Sequence, residues 1–435
     1  MPFLKNFTKV FLILFIFNSN SYAQNFWVRH PSPTTKFLNK CFFTNNNNGW
    51  ISGDSGTILH TANGGDNWIL QNTLTFNSVE GIFFFNDRLG WALTYEVFPD
   101  STSFFGTRVL TTTNGGSNWT NAMFPDTNIF LKAVYFLDSL NGFVGGSPGV
   151  IYNTNDGGRT WVQCAIDSTA KLILPVAEVK FLNSMTGYAS GGFRDIAGSM
   201  WKTTNGGMNW KITIVGPEPL NDFFIIDQLR VIAVGGDFEY GSSYVKTSNA
   251  GANWIYDTLG IFGIAKGIDF RTPNEGWIVI GERFSFTSDT GNTWTSFFTP
   301  DSLRLEDICF TDSTHGWAVG YNGVILKYDE TQSAISYNSN LYPNSFSLLQ
   351  NFPNPFNPTT IINYQLSVSD FVSLKVFDVL GKEIIQLINE RQYAGNYSVE
   401  FDARLANGSY LPSGIYFYEL RTEGFSQVKR MILIK

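Results

Sequence analysis

The sequence predicts an all-β protein: a seven-bladed β-propeller with N-terminal strand closure, then a C-terminal immunoglobulin-like β-sandwich. Three observations carry that expectation. An eight-residue turn motif recurs six times. A Gly-aromatic pair precedes most copies. The repeat stops near residue 329, where the composition changes.

The turn is represented by Thr203 to Trp210, T-T-N-G-G-M-N-W, and recurs at 61–68, 112–119, 154–161, 247–254 and 287–294. Every copy reads Thr, any, Asn or Asp, any, Gly, any, Asn or Thr, Trp. The Asn or Asp suits an Asx turn that bonds backbone N–H groups two residues on. The Gly three positions before the Trp suits a positive φ. The Trp anchors the next strand in a core. The pattern resembles the Asp-box, a hairpin turn of many propellers, and is read as structural rather than as a ligand site.

The pairs are Gly49-Trp50, Gly90-Trp91, Gly142-Phe143, Gly187-Tyr188, Gly276-Trp277 and Gly316-Trp317. One unit departs, with Arg230-Val231 at the expected place. The repeat anchors Trp68, Trp119, Trp161, Trp210, Trp254 and Trp294 stand 40 to 51 residues apart, the period of four-stranded blades. Residues 131–164 show the template best: strand Leu131–Leu137, a turn at 138–141, a strand from Gly142-Phe143, a third over Val150–Thr154, then the box turn and Trp161.

There are six full units but seven starts. The last, Arg304 to Asp329, ends without its turn and Trp. Phe26-Trp27-Val28 lies 41 residues before Trp68, one period away. Trp27 is therefore expected on the strand that completes the last blade, which removes both exposed sheet edges.

Aromatic residues make up 16% and charged residues 15% of 435, with 41 glycines, which favours strands and tight turns over polar helices. The net charge is −7, and loss of Lys5 and Lys9 with a leader takes it to about −9. That balance disfavours nucleic acid and anionic membrane surfaces. Met1 to Ala23 reads as a signal peptide: a basic start, an apolar run over Val10–Phe17, and Ser21-Tyr22-Ala23 before the cut. No later stretch is long and apolar enough for a transmembrane helix. Cys41, Cys164 and Cys309 are an odd set, which argues against a disulfide framework in an exported protein. His30, His60 and His315 lack metal-ligand spacing, so no metal and no cofactor is expected.

The repeats of residues 25–330 resemble the photosystem II assembly and stability factors, whose propellers carry G-W…G…I…T…N-G-G-x-x-W units. The resemblance implies the fold and a scaffold or binding character. Residues 330–342 read as a polar linker. The tail, 343–435, carries Q-N-F-P-N-P-F-N-P at 350–358, V-F-D-V-L-G-K at 376–382 and S-G-I-Y-F-Y at 413–418. It resembles the C-terminal sorting domain of type IX secretion cargo. That implies the secretion machinery as a partner and a cell-surface or secreted location. Strands are expected at 361–366, 371–378, 396–401, 414–421 and 427–434. The domains expected are thus 1–23 signal peptide, 24–329 propeller, 330–342 linker and 343–435 sorting domain.

No G-x-S-x-G, H-E-x-x-H or P-loop string occurs. Phe270-Arg271-Thr272-Pro273 is close to a sialidase arginine motif but lies inside a repeat, so it is read as structural. No catalytic residue is assigned and the chain is read as non-enzymatic. The alternative is a secreted carbohydrate-active hydrolase, sialidase-like or xyloglucanase-like, which needs two carboxylates across a sugar. Binding is expected at long loops between second and third strands. These are 94–107 with Glu96, Asp100, Phe104 and Phe105, 191–199 with Phe193, Arg194 and Asp195, and 235–243 with Asp237, Glu239 and Tyr240. The partner expected there is an unknown protein or glycan, met by a monomer.

Overall fold

Alternating apolar positions set the innermost strands of the repeat. Val176–Phe181, V-A-E-V-K-F, buries Val176, Val179 and Phe181 and leaves Glu178 and Lys180 half-buried. The computed structural model describes residues 26–97, 104–167, 174–330, 346–366, 370–392, 395–404 and 410–434. The leader at 1–23, most of the linker and Asp100 lie outside the described residues. The chain divides into two compact units, Met1–Ser333 and Ala334–Lys435. No helix among the described residues is long and apolar enough to cross a membrane.

In the first unit the described residues form seven small sheets. Their inner strands are Leu38–Phe43, Val79–Phe84, Phe130–Phe136, Val176–Phe181, Leu220–Ile225, Gly267–Phe270 and Leu305–Phe310. Each inner strand touches the next, and the last touches the first. Within a sheet, hairpins join successive strands antiparallel, for example Phe130–Phe136, Gly142–Ser147, Val150–Thr154 and Val162–Gln163. One sheet departs from the four-strand template. Ala165–Asp167 leaves the third sheet and pairs parallel with 209–211 on the outer edge of the fourth.

The first described strand, Trp27–His30, pairs antiparallel with Ile325–Tyr328, the last strand of the repeat. Trp27 is 4% exposed. Its ring stacks on Phe284 at 5.0 Å and meets Trp277, Phe310 and Tyr328 edge-on at 5.4–5.7 Å. The other anchors divide: Trp68, Trp119 and Trp210 are buried, while Trp161, Trp254 and Trp294 are half-buried.

The box turns close differently from the sequence expectation. The two-residue reach belongs to Thr, not to Asn or Asp: Thr61 Oγ1 accepts from Asn63 N and, at 2.9 Å, from Gly65 N. Asn63 Oδ1 reaches further and accepts the Asn67 N–H, four residues on. The glycine expectation holds, since Gly65 has φ +85° and a Cβ there would also strike the Trp317 indole at 2.7 Å.

That close approach links the two motifs. Trp50, Trp91 and Trp317 donate their indole N–H to Gly115, Gly157 and Gly64 carbonyls in the box turn of the following sheet. The same tryptophans stack on Phe84, Phe136 and Phe43 of that sheet at 3.4–3.6 Å. Trp277 precedes the one sheet without a box turn, and its buried Nε1 has no partner. The paired glycine exists for packing: a Cβ on Gly49 would lie 2.3 Å from the Phe43 ring. In the fifth unit the register places Val231-Ile232 at the pair's position, one residue later than read from sequence. Val231 pairs with Ile225, which stands where other units have Phe, so no ring forbids its side chain.

The second unit has two antiparallel sheets. Ser347–Leu348, Thr359–Leu366 and Gly395–Asp402 form one; Glu383–Gln392, Asp370–Phe377, Gly414–Arg421 and Ser426–Leu433 form the other. One buried cluster takes Ile362, Tyr364 and Phe401 from the first sheet and Leu374, Tyr418 and Met431 from the second. Glu383–Gln392 was not expected. The Q-N-F-P-N-P-F-N-P stretch is tied down: Tyr418 Oη accepts from Asn351 N and donates to Leu349 O, and Asn354 Oδ1 accepts from Ile432 N.

Candidate functional site

The expected long loops are mostly strand. Gly90–Val97 pairs with Phe104–Thr112, and Glu96 is ion-paired to Arg108 rather than free. Phe104 lies on the second of these strands. Gly187–Phe193 and Ala197–Thr203 leave only Arg194, Asp195 and Ile196 as a turn. Val231–Asp237 and Gly241–Thr247 leave Phe238, Glu239 and Tyr240. The ladders run further than expected, and Gly236, at φ +116°, still pairs with Ser242 just before the tip.

These last two hairpin tips converge. Asp195 and Asp237 come together with Glu218 so that their carboxylate oxygens lie within 4.8 Å of one another. Asp195 lies at φ +59° in the tip and is exposed. Asp237 is buried, and its Oδ1 accepts the Glu239 and Tyr240 N–H groups at 2.9 and 2.7 Å. Glu218 is buried, and its carboxyl is pushed up by that burial, then by Asp237, Asp195 and Glu239. Around these carboxylates stand exposed Phe193, Ile196, Phe238, Tyr240 and Phe262. The Phe238 and Phe262 rings lie 6.1 Å apart. The site is thus acidic at its centre and apolar at its rim. Among the described residues these three carboxylates are the set spaced to hold a hard cation.

Glu218 was missed from the sequence. It sits between Pro217 and Pro219 in the segment joining the fourth and fifth sheets, directly opposite the Asp195 turn. Prolines on both sides of a lone carboxylate in an inter-unit loop were the available signal. Arg194 is exposed beside the site.

A second polar centre lines the axis. A cavity of about 280 Å³ is walled by the inner strands. Register shifts in six inner strands, such as Leu38/Lys40 and Leu220/Asp222, re-aim the following side chains. Lys40 of the first strand bonds Glu178 of the fourth at 2.6 Å, across the cavity. Lys180 pairs with Asp222 at 2.7 Å and Lys266 with Glu306 at 2.9 Å. Asp222, Asp269 and Asp307 accept the Ile268, Phe310 and Cys41 N–H groups of the next inner strand. Burial pushes Asp269 up to about 7 and holds Lys132 down, with Lys266 and Lys40 adding to the Lys132 effect. These charges are satisfied largely by one another and by backbone, which is the pattern of a structural core.

Arg271, the residue of the sialidase-like string, is engaged. It pairs with Glu275 and Glu330, donates to Ser313 O and lies over the Tyr328 ring. A hollow of about 580 Å³ beside Phe143 opens at the box turn of the third unit. Its acceptors close turns: Asp138 Oδ1 takes Leu140 and Asn141 N–H, and Asn183 Oδ1 takes Met185 and Thr186.

Residues 104–220 match the family model described as photosynthesis system II assembly factor YCF48, and residues 350–435 the secretion system C-terminal sorting domain. A photosystem II assembly lipoprotein Ycf48 of Nostoc is 24% identical over 360 residues, 75% of this chain and 96% of that protein. Its counterpart in Synechococcus is 26% identical over 105 residues, and the chain spans only 30% of that relative's length. A structure of YCF48 bound to D1 peptide superposes with TM-score 0.56 and 20% identity, covering 70% of this chain and 97% of that one. The GH74 xyloglucanase of Xanthomonas campestris superposes with TM-score 0.55 and 11% identity, covering 85% and 63%. At these identities the structural matches speak to the fold. The chain therefore pairs a β-propeller similar to the photosystem II assembly factors with a C-terminal secretion sorting domain.

Proposed function

We propose that residues 24–329 are a seven-bladed, non-catalytic propeller, exported by its sorting domain, that holds a protein partner at the cell surface. The occupant is a basic, apolar segment. One observation carries this reading: Asp195, Glu218 and Asp237 gather at hairpin tips ringed by exposed Phe193, Ile196, Phe238, Tyr240 and Phe262. Clustered carboxylates favour Lys or Arg, and an exposed aromatic rim favours apolar side chains beside them. Fluorescence anisotropy against a peptide series tests it. Peptides mixing Lys or Arg with aromatic residues should bind, more weakly as salt rises, and binding should fall in Asp195→Asn and Phe238→Ala. Equal binding of acidic peptides would end this reading.

One observation favours the hydrolase reading. The Asp195, Glu218 and Asp237 oxygens lie within 4.8 Å, close to the roughly 5 Å separation of retaining glycosidases, and Glu218 is held toward its protonated form. Release of reducing sugar from xyloglucan or of sialic acid from sialosides, lost in Glu218→Gln, would establish it.

A further inference from the structure

Two of the three cysteines meet where the ring closes. Cys41 lies on the first inner strand and Cys309 on the last. Cys41 N donates to Asp307 Oδ2 at 2.8 Å, two residues before Cys309. Cys41 Sγ lies 3.7 Å from Trp317 O, and Trp317 is the cross-strand partner of Cys309. Cys309 packs against the buried cluster of Cys41, Leu38, Trp317 and Val319. Both line the axial cavity. Cys164 is elsewhere, packed with Trp210 in the third and fourth sheets.

We propose that Cys41 and Cys309 are a disulfide-forming pair that fastens the first inner strand to the last in the exported protein. All three cysteines are free thiols in this structure. The placement of the pair in an oxidising compartment rests on the export reading. The other inner strands carry no such pair: the residues matching Cys309 are Phe42, Phe83, Tyr135, Lys180, Phe224 and Asp269. The cross-link therefore closes covalently a ring that is otherwise closed only by the pairing of Trp27–His30 with Ile325–Tyr328.

The oxidant is a small or protein disulfide. The Cys309 thiolate, the more accessible of the two, attacks one sulfur of that disulfide and releases one thiol. The Cys41 sulfur then attacks Cys309 Sγ in the mixed disulfide and releases the second. Two protons leave the protein thiols, and two electrons pass to the oxidant, which ends as two thiols. Burial raises both thiols, Cys41 well above its ordinary value, so the exchange is slow in the folded ring and fast during folding.

The test uses the full chain, reduced, unfolded and refolded with reduced and oxidised glutathione. Free thiols are then alkylated in denaturant and the peptides read by mass spectrometry. The expected result is a Cys41–Cys309 linked peptide with Cys164 alkylated. The melting temperature should exceed that of the same sample in dithiothreitol by roughly 5–10 °C, and the difference should vanish in Cys309→Ala. Alkylation of all three cysteines, or a link containing Cys164, would overturn the pair whether or not the chain is exported. Linkage on refolding but three free thiols in protein taken from the cell surface would instead overturn the exported state of the bond.

Discussion

Ala250 and Thr290 hold a left-handed backbone position, φ +56° and +63°, that the other four copies of the turn give to Gly64, Gly115, Gly157 and Gly206. A Cβ there is strained. Ala250→Gly should raise stability by about 0.5 kcal/mol in urea unfolding, the relieved strain outweighing the added chain entropy. Thr290→Gly should gain less, because the Thr290 hydroxyl bonds Asn274 Oδ1 at 3.0 Å. Asp269 acts through pH. Its folded value, about 7, stands above the unfolded value of 3.8, so the folded state keeps a proton that the unfolded chain has lost. Its contribution to stability therefore falls as pH rises through that window and levels off above it. Urea midpoints at pH 5 and pH 8 should differ less in Asp269→Asn than in the parent protein.

At the scale of elements, the seam strand is the part to remove. Trp27 contacts four aromatic rings from the two sheets that meet there. Trp27→Ala should cost about 3–5 kcal/mol in urea unfolding, with lost amide protection at Ile325 to Tyr328. The pairing of Trp27 was legible because a period in Trp spacing survives even when a unit is split between the two ends of the repeat. Other elements were not. Glu383–Gln392 lacks clean alternation, since most of its residues are exposed or half-buried on both faces. The 191–199 and 235–243 segments read as loops because Gly, Asp and Arg mark turns, yet cross-strand bonding carries both ladders to three-residue tips. Glu218 was missed as a site member because only the folded hairpins before and after it bring Asp195 and Asp237 to it, and its flanking prolines were the one local sign. Val231 shows the same limit: only its partner Ile225 explains the missing glycine.

For the whole molecule, each unit has buried clusters of its own. Deleting residues 343–435 should therefore leave a folded repeat that is no longer exported. Protease treatment of intact cells should digest the full-length protein and spare the truncated one; equal digestion would refute the role of the tail. The clasp between Trp27–His30 and Ile325–Tyr328 has one more consequence. Trp27 lies opposite Tyr328, and Asp329 N donates to Phe26 O at 2.7 Å, so both leads leave the clasp at the same end. Tension drawn between residues 26 and 329 would load those backbone bonds one after another, as a zipper is opened, rather than all at once. A ring hard to melt in solution would then be mechanically soft along this single line, unless a covalent link elsewhere at the seam shared the force.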